Sequence, residues 1–592
     1  MRKSIKTCNL RFVICILMVT LMATLSFPLD FISADELQPG MKGIGKTVFK
    51  NGQITEFDVE IIAVLRNIAP KGDLILARLK NELLDKTGLI AGMSGSPVYI
   101  DGKLIGAVAY GWGFTKETIA GITPIAEMLS ILDEDVQITA GAYSGKLRYG
   151  RQISVGKYML KDIIVYPSGI PEYDSSSMVL MPIATPLMVG GFTQEIMNEM
   201  EPIFKNSGLI PFRSGGGSAK GISDMVPGGV IGAQLLCGDC ELTALGTVTY
   251  NRKGKVLGFG HPFLGMGKVN FPMTGGTIHT IVPSQMFSFK LGSPTSAVGR
   301  INLDTRVAIG GEIGKLPQLI PLHISIKTKS DVKRFSYKMI EDEVWTPNLL
   351  NWCILNSIIG TPSAGKKSAN VKLEVKLEGY SEPTVIENST ILINGWSKLV
   401  TEPLAKIMTN QFRQPKIQGM NLEMELSDIP LAATIQRVQI DKSEVKPGED
   451  IHLTVNLKPY ESRDRTFKTT IRIPENFPDG EFTVIVCDAN SSIQITEAAN
   501  PCKLRPNSLE GLLSLFQKLE KNNEIIVRIF TPFGGFMVHG RELPALPSSV
   551  INIMSSSKET GIGSFSGEIC RRIPTDWIVS GHHQLQIKVK GE

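Results

Sequence analysis

The stretch Gly92-Met93-Ser94-Gly95-Ser96-Pro97, with the hairpin that follows it, constrains this chain more than any other. Glycines on either side of a serine let the backbone bend into positive-φ or crowded conformations, so that the hydroxyl can stand clear of its neighbours. Val98-Tyr99-Ile100 and Lys103-Leu104-Ile105-Gly106-Ala107-Val108 then flank Asp101-Gly102, the dipeptide that favours the type I′ turn of a two-residue hairpin. The serine therefore opens a rigid β-ribbon, which is how a nucleophile is displayed. A second pair, Asn51-Gly52, joins residues 46–50 to an alternating run through Phe57, Val59, Ile61 and Val64. Two such hairpins in the first hundred residues predict an antiparallel barrel or sandwich.

At 592 residues the chain is too long for one core, since cores stop growing at roughly 250–300 residues. Arg2, Lys3, Lys6 and Arg11 precede an apolar run from Phe12 to Phe27, and Ile32-Ser33-Ala34 offers a small-residue cleavage site. Residues 1–34 thus read as an export signal. The alternative is an uncleaved anchor, although the run is shorter than the ~20 residues that span a bilayer comfortably. The formal net charge of +5 is small for this length, and nothing in its distribution points to nucleic acid. Cys8 and Cys15 fall in the signal; Cys237, Cys240, Cys353, Cys487, Cys502 and Cys570 remain, an even number that permits disulfides without fixing their pairing. Cys237 and Cys240 have half-zinc-site spacing, but no second such pair or close histidine pair completes a metal site. No metal or other cofactor is expected.

A second β unit begins near Pro227. Residues 247–250 and 256–259 flank Asn251–Gly254 as a hairpin, and the outgoing strand delivers Gly260-His261-Pro262-Phe263. A histidine held between glycine and proline at a strand's end has a fixed pose, and its near-neutral pKa lets it take a proton from a serine and return it to a leaving amine. All seven histidines lie at or after position 261; the alternatives, His279 and His323, lack this turn setting.

The serine turn and its hairpin resemble the nucleophile segment of chymotrypsin-like serine proteases. More closely, residues 87–108 resemble the SpoIVB-type serine peptidases, whose type member acts in the cell envelope. The run from Gly246 to His261 is similar to the histidine-bearing hairpin of the same family. In that family the histidine segment comes first; here Ser94 precedes His261, which implies a circular permutation of a two-barrel protease. Triads recur in several chain orders, so order alone does not exclude catalysis. The resemblance implies a serine endopeptidase acting on protein or peptide substrates in an extracytoplasmic compartment, among them envelope proteins or the chain itself. The class that competes with it is a catalytically inactive envelope protein that keeps the protease scaffold as a binding module. No convincing PDZ-like segment accompanies it, so the type member's regulation does not carry over.

Ser94 and His261 are the expected nucleophile and base. The aspartate of the chymotrypsin-like arrangement follows its histidine by roughly 45 residues, which selects Asp304. In the SpoIVB-type enzymes the acidic residue lies a short way upstream of the serine, where this chain offers only Asp85 as a fallback. Backbone N–H groups of Gly92 and Ser94 are the expected oxyanion hole, a kind of donor whose loss typically costs on the order of 10²–10³ in rate.

The chain as a whole reads as mainly β: a chymotrypsin-like double β-barrel, permuted, followed by a C-terminal immunoglobulin-like β-sandwich. The expected divisions are a signal at 1–34, a serine-bearing barrel half at 35–138, a connecting region with a helix at 139–224, a histidine-bearing half at 225–330, a helix and strands packing on the peptidase part at 331–430, and the sandwich with its tail at 431–592. In the last of these, Ile451, Leu453, Val455 and Leu457 alternate strictly after Val445-Lys-Pro-Gly448, and strands at this spacing with proline and glycine turns suggest a sandwich.

Overall fold

Asn51 and Asp101 have φ of 54° and 49°, and Gly52 and Gly102 behind them have 70° and 76°. Two successive left-handed residues make a type I′ turn. Lys50 opposite Gln53 and Ile100 opposite Lys103 close a two-residue hairpin at each site. Lys253 and Gly254 repeat the geometry at 52° and 79°, and because Arg252 pairs with Lys255 the loop is shorter than the expected Asn251–Gly254.

This computed structural model describes residues 31–592, apart from 71, 113–116, 134–146, 150–152, 156–157, 161–162, 166–177, 216–223, 285–286, 362–367, 392–395, 539–540, 545, 556–561 and 592. Most of the expected export signal lies outside the described residues. Its last part lies within them: the Ile32 N–H donates to the Leu104 carbonyl, and Arg66 Nη2 donates to the Ala34 carbonyl at 2.8 Å. No described helix is long and apolar enough to cross a membrane.

The chain is mainly β and divides into two compact units. The first comprises residues up to 190, 199–234 and 242–317. In it the strands Lys42–Lys50, Gln53–Ala69, Gly72–Lys80, Ile119–Pro124, Lys103–Trp112 and Ser96–Ile100 pair antiparallel in that order, and Ser96–Ile100 pairs back onto Lys42–Lys50. A sheet whose last strand bonds to its first has no open edge. Its interior is filled by Phe57, Val59, Ile61, Ile75, Leu79, Val98, Ile105, Val108 and Ile122, all nearly inaccessible to solvent.

A second ring follows the same plan. Val230–Gly238, Glu241–Arg252, Lys255–Gly258, Ile309–Ile313, Ser288–Asp304 and Gly267–Val282 are neighbours in that order, and the last pairs with the first. The expected double barrel is thus present, with the serine-bearing barrel first in the chain. The connecting region adds strands to both sheets: Met178–Pro182 pairs with Lys103–Trp112, and Thr185–Gly190 pairs in parallel with Leu209–Arg213 beside Glu241–Arg252.

The second unit comprises residues 191–198, 235–241 and 318–592. Residues 331–430 fall in this unit. The physical reason is strand pairing: Ile320–Lys327 forms a hairpin with Val332–Met339 and pairs in parallel with Ile417–Ser427, which continues to Ser368–Leu377 and Thr384–Ile391. The helix Trp345–Ile359 is buried along most of its length, and its Ser357 Oγ, which donates to the Cys353 carbonyl, accepts from the Tyr337 hydroxyl at 2.8 Å.

Beyond it two sheets share one apolar core. Ile435, Leu453, Val455 and Leu457 come from one, Val484, Val486, Val527 and Ile587 from the other. The tail is integral to this sandwich: His582–Val589 pairs with Gly480–Cys487 along its full length, and Glu524–Val538 lies on the other side of Gly480–Cys487. The six cysteines among the described residues are all unpaired.

Candidate active site

The serine turn lies at the seam between the two barrels. Gly92 and Gly95 have φ of 93° and 90°, conformations that a side chain would strain. A Cβ on Gly95 would stand 2.1 Å from the Thr247 carbonyl oxygen and 2.5 Å from the Phe259 nitrogen, so only glycine lets the second barrel approach this closely. Gly95→Ala is expected to destabilise the protein by about 3 kcal/mol, through positive φ and a backbone clash together; a urea unfolding midpoint measures it.

Four hydrogen bonds join the turn and its barrel to the histidine hairpin. The Thr247 N–H donates to the Ser94 carbonyl at 2.9 Å, Thr249 Oγ1 to the Gly95 carbonyl at 2.7 Å, Thr247 Oγ1 to the Gly92 carbonyl at 3.0 Å and Thr123 Oγ1 to the Gly260 carbonyl at 2.6 Å. Beside them Leu104, Ala107, Ile125 and Met128 pack with Leu257, Val307 and Ala308. Ser94 is fully buried and its Oγ has no hydrogen-bond partner.

His261 is presented by an unusual turn. Phe259 and Gly260 have φ of 67° and 72°. A left-handed aromatic residue is an outlier, and such strain is stored at sites that need a fixed pose. The Phe259 ring is locked in place against Gly246, where a Cβ would come within 2.4 Å of it, and meets the Phe263 ring edge-on at 5.9 Å. His261 Nδ1 lies 2.7 Å from the Pro262 carbonyl. A carbonyl only accepts, so Nδ1 carries the proton and Nε2 carries the lone pair. Nε2 is buried with no partner. Burial pushes the ring's pKa down to about 4, against the opposing pull of the Pro262 and Ile183 carbonyls. The imidazole is therefore neutral at pH 7, the charge state a general base needs. The structure brings both segments to one seam, and the Ser94–His261 hydrogen bond itself is not formed in it.

Asp304 has other partners than the imidazole. Its Oδ1 accepts the Phe263 N–H at 2.8 Å, and its Oδ2 accepts those of Leu264 at 2.8 Å and Met266 at 3.3 Å. Burial holds its pKa above the usual carboxylate value, and the loop N–H groups offset only part of that rise. The carboxylate thus fastens the loop that leaves His261, while the Pro262 carbonyl occupies the ring nitrogen expected to face Asp304. Asp85 is exposed on the short helix Glu82–Thr87. His279 Nε2 is bonded to Ser293 Oγ at 2.9 Å, and His323 lies in the second unit.

Of the N–H groups around the nucleophile, those of Met93, Gly95 and Ser96 bond the carbonyls of Ile90, Val108 and Met93. None of these three competes for the oxyanion role expected of Gly92 and Ser94. No group of metal-binding side chains occurs among the described residues.

One residue in the seam is not evident from the sequence. Lys290 is 1% exposed, and its Nζ donates to Thr47 Oγ1 at 2.7 Å and to Thr247 Oγ1 at 3.3 Å. Its strand runs parallel to Ile90–Ala91, with Phe289 opposite Ala91, so Lys290 comes level with the start of the serine turn. The signal available was a single lysine between Phe289 and Leu291, whose alternation turns it to the opposite face.

No curated protein matches the chain. The family model described as SpoIVB peptidase S55 matches residues 23–129, a stretch that contains Ser94 and the first barrel and excludes His261 and Asp304. Over residues 23–129 the chain is therefore similar to the SpoIVB peptidase family, in agreement with the resemblance of its turn and hairpin.

Proposed function

We propose that this chain is an exported serine endopeptidase that cleaves protein substrates through an acyl-enzyme at Ser94, with the two halves in the reverse of the family's chain order. The observation that carries the reading is a pair of buried, unpartnered atoms at one seam, Ser94 Oγ and His261 Nε2. A buried polar atom without a partner costs stability and calls for an explanation. Proton transfer between a nucleophile and a base accounts for both at once.

In the reaction, Ser94 Oγ attacks the scissile carbonyl while His261 Nε2 takes its proton. The N–H groups of Gly92 and Ser94 receive the oxyanion, and the imidazolium then protonates the leaving amine. Water repeats the sequence on the acyl-enzyme and frees Ser94. The substrates proposed are envelope proteins or the chain itself, met after export directed by residues 1–34 or from an anchor formed by the same residues. Neither a cofactor nor a nucleic acid takes part.

The second reading, an inactive scaffold, is favoured by the complete burial of Ser94 and by the unmade Ser94–His261 bond. A fluorophosphonate probe separates the two, since it reacts with an activated serine and spares an inert one. Purified protein is expected to label, and Ser94→Ala to lose the label entirely. A folded wild-type protein that stays unlabelled would establish the scaffold reading.

A further inference from the structure

We infer that Lys290 is a positioning residue of the nucleophile turn, acting through the Thr247 hydroxyl on the Gly92 carbonyl. The inference rests on the peptidase reading above and extends it to a residue of the second barrel. Its basis is a chain of contacts running from Lys290 Nζ to Thr247 Oγ1 at 3.3 Å and from that hydroxyl to the Gly92 carbonyl at 3.0 Å. The direction follows from chemistry. An ammonium only donates, so Thr247 Oγ1 accepts from it and turns its own hydrogen toward Gly92. Thr47 Oγ1 takes a second amine proton at 2.7 Å. The aliphatic stem completes the support: a Cβ on Gly92 would touch Lys290 Cδ at 3.2 Å. Nζ and stem thus hold Gly92 from two sides, and with it the donor two residues ahead of the nucleophile.

The placement is costly for a merely structural lysine. Buried charges are ordinarily paired with an opposite charge, and this one meets two hydroxyls. The ionisable residues on the strands around it are Lys42, Lys46, Lys50, Glu241, Tyr250, Arg252, Lys268, His279, Arg300, Asp304 and Glu312. Lys46 reaches Glu56, His279 reaches Ser293 and Asp304 holds the 263–266 loop. Burial alone acts on the amine and brings its pKa down to about 7. The group therefore changes charge in the neutral range, which supplies a signature that packing would not.

The test joins the rate of fluorophosphonate labelling to the amide shift of Met93, whose nitrogen shares a peptide bond with the Gly92 carbonyl. Selective ¹⁵N-methionine labelling reports it, and Met93→Leu assigns the signal. Thr247→Val is expected to lower the labelling rate ~10–100-fold, because small misplacements of reacting groups cost up to about 10², and Thr247→Ser should restore most of it. Lys290→Met should lower the rate by about tenfold and abolish a Met93 shift that titrates near pH 7 in the wild type. Adding it to Thr247→Val should bring little further loss, since both remove one contact chain. If Lys290→Met fails to fold, the Val and Ser variants at 247 decide the matter alone. Folded Lys290→Met and Thr247→Val proteins that label at the wild-type rate with an unmoved Met93 signal would overturn the inference. A wild-type protein that does not label would instead defeat the peptidase reading, and the Met93 shift would still decide whether Lys290 and Thr247 hold the turn.

Discussion

Replacing His261 by alanine is expected to slow fluorophosphonate labelling of Ser94 by about 10⁴–10⁶-fold, because a serine without its base is a poor nucleophile and triad members act as a unit. The pH profile gives the same residue a second signature. With its pKa drawn down to about 4, the imidazole remains a neutral acceptor through pH 5–8, so the acid limb of the labelling rate should fall near pH 4 and not near 6.5. Stability should follow. The unfolded chain protonates this ring near pH 6.5, whereas the folded protein holds it neutral down to about 4. Between those values the unfolded state binds more protons, so stability falls as pH falls, by about 3 kcal/mol in total. Urea unfolding at pH 7 and pH 4 measures the slope, and His261→Gln should remove that part of it. An unaltered slope in the variant would mean that other groups carry the acid sensitivity, and unaltered labelling would remove His261 from the reaction.

What could be read from the sequence was what a few adjacent residues determine. The glycines around Ser94 and the Asx-Gly turns encode left-handed backbone locally, so the serine turn and the hairpins of both barrels were legible before any tertiary contact was known, whereas the burial of Ser94 was not. His261 was legible for the same reason, as the end of a hairpin. Lys290 was not, because one of its two hydroxyl partners, Thr47, lies 243 residues away in the chain, and only the docking of one barrel on the other buries it. The partners of the strands in residues 331–430 were equally hidden. Those strands alternate well enough to be recognised, but alternation says nothing about which partner a strand edge will find. The sandwich was recognised from residues 432–490, yet six of the nineteen buried residues of its core come from strands after residue 520, whose long separation leaves no local trace.

Asp304 shows how a correct-looking spacing can select a residue whose partners lie elsewhere. Its distance along the chain from His261 fits the chymotrypsin-like pattern, but the carboxylate accepts three backbone N–H groups of the loop 263–266, and the Pro262 carbonyl fixes the imidazole tautomer in its place. Asp304→Asn should therefore act first on the loop. An amide turns a donor toward N–H groups that need an acceptor, and breaking such a buried charged contact costs about 3–5 kcal/mol, seen as an early urea transition. Labelling should fall as well, with a change that a purely structural role would not produce. Loosening the loop admits water to His261, relieves the burial that lowers its pKa, and moves the acid limb of the labelling rate up from about 4 toward the ordinary value near 6.5. If the asparagine variant instead kept wild-type stability and an unmoved acid limb while labelling fell by about 10⁴, the carboxylate would be orienting the imidazole directly, and the loop contacts would be incidental to its function.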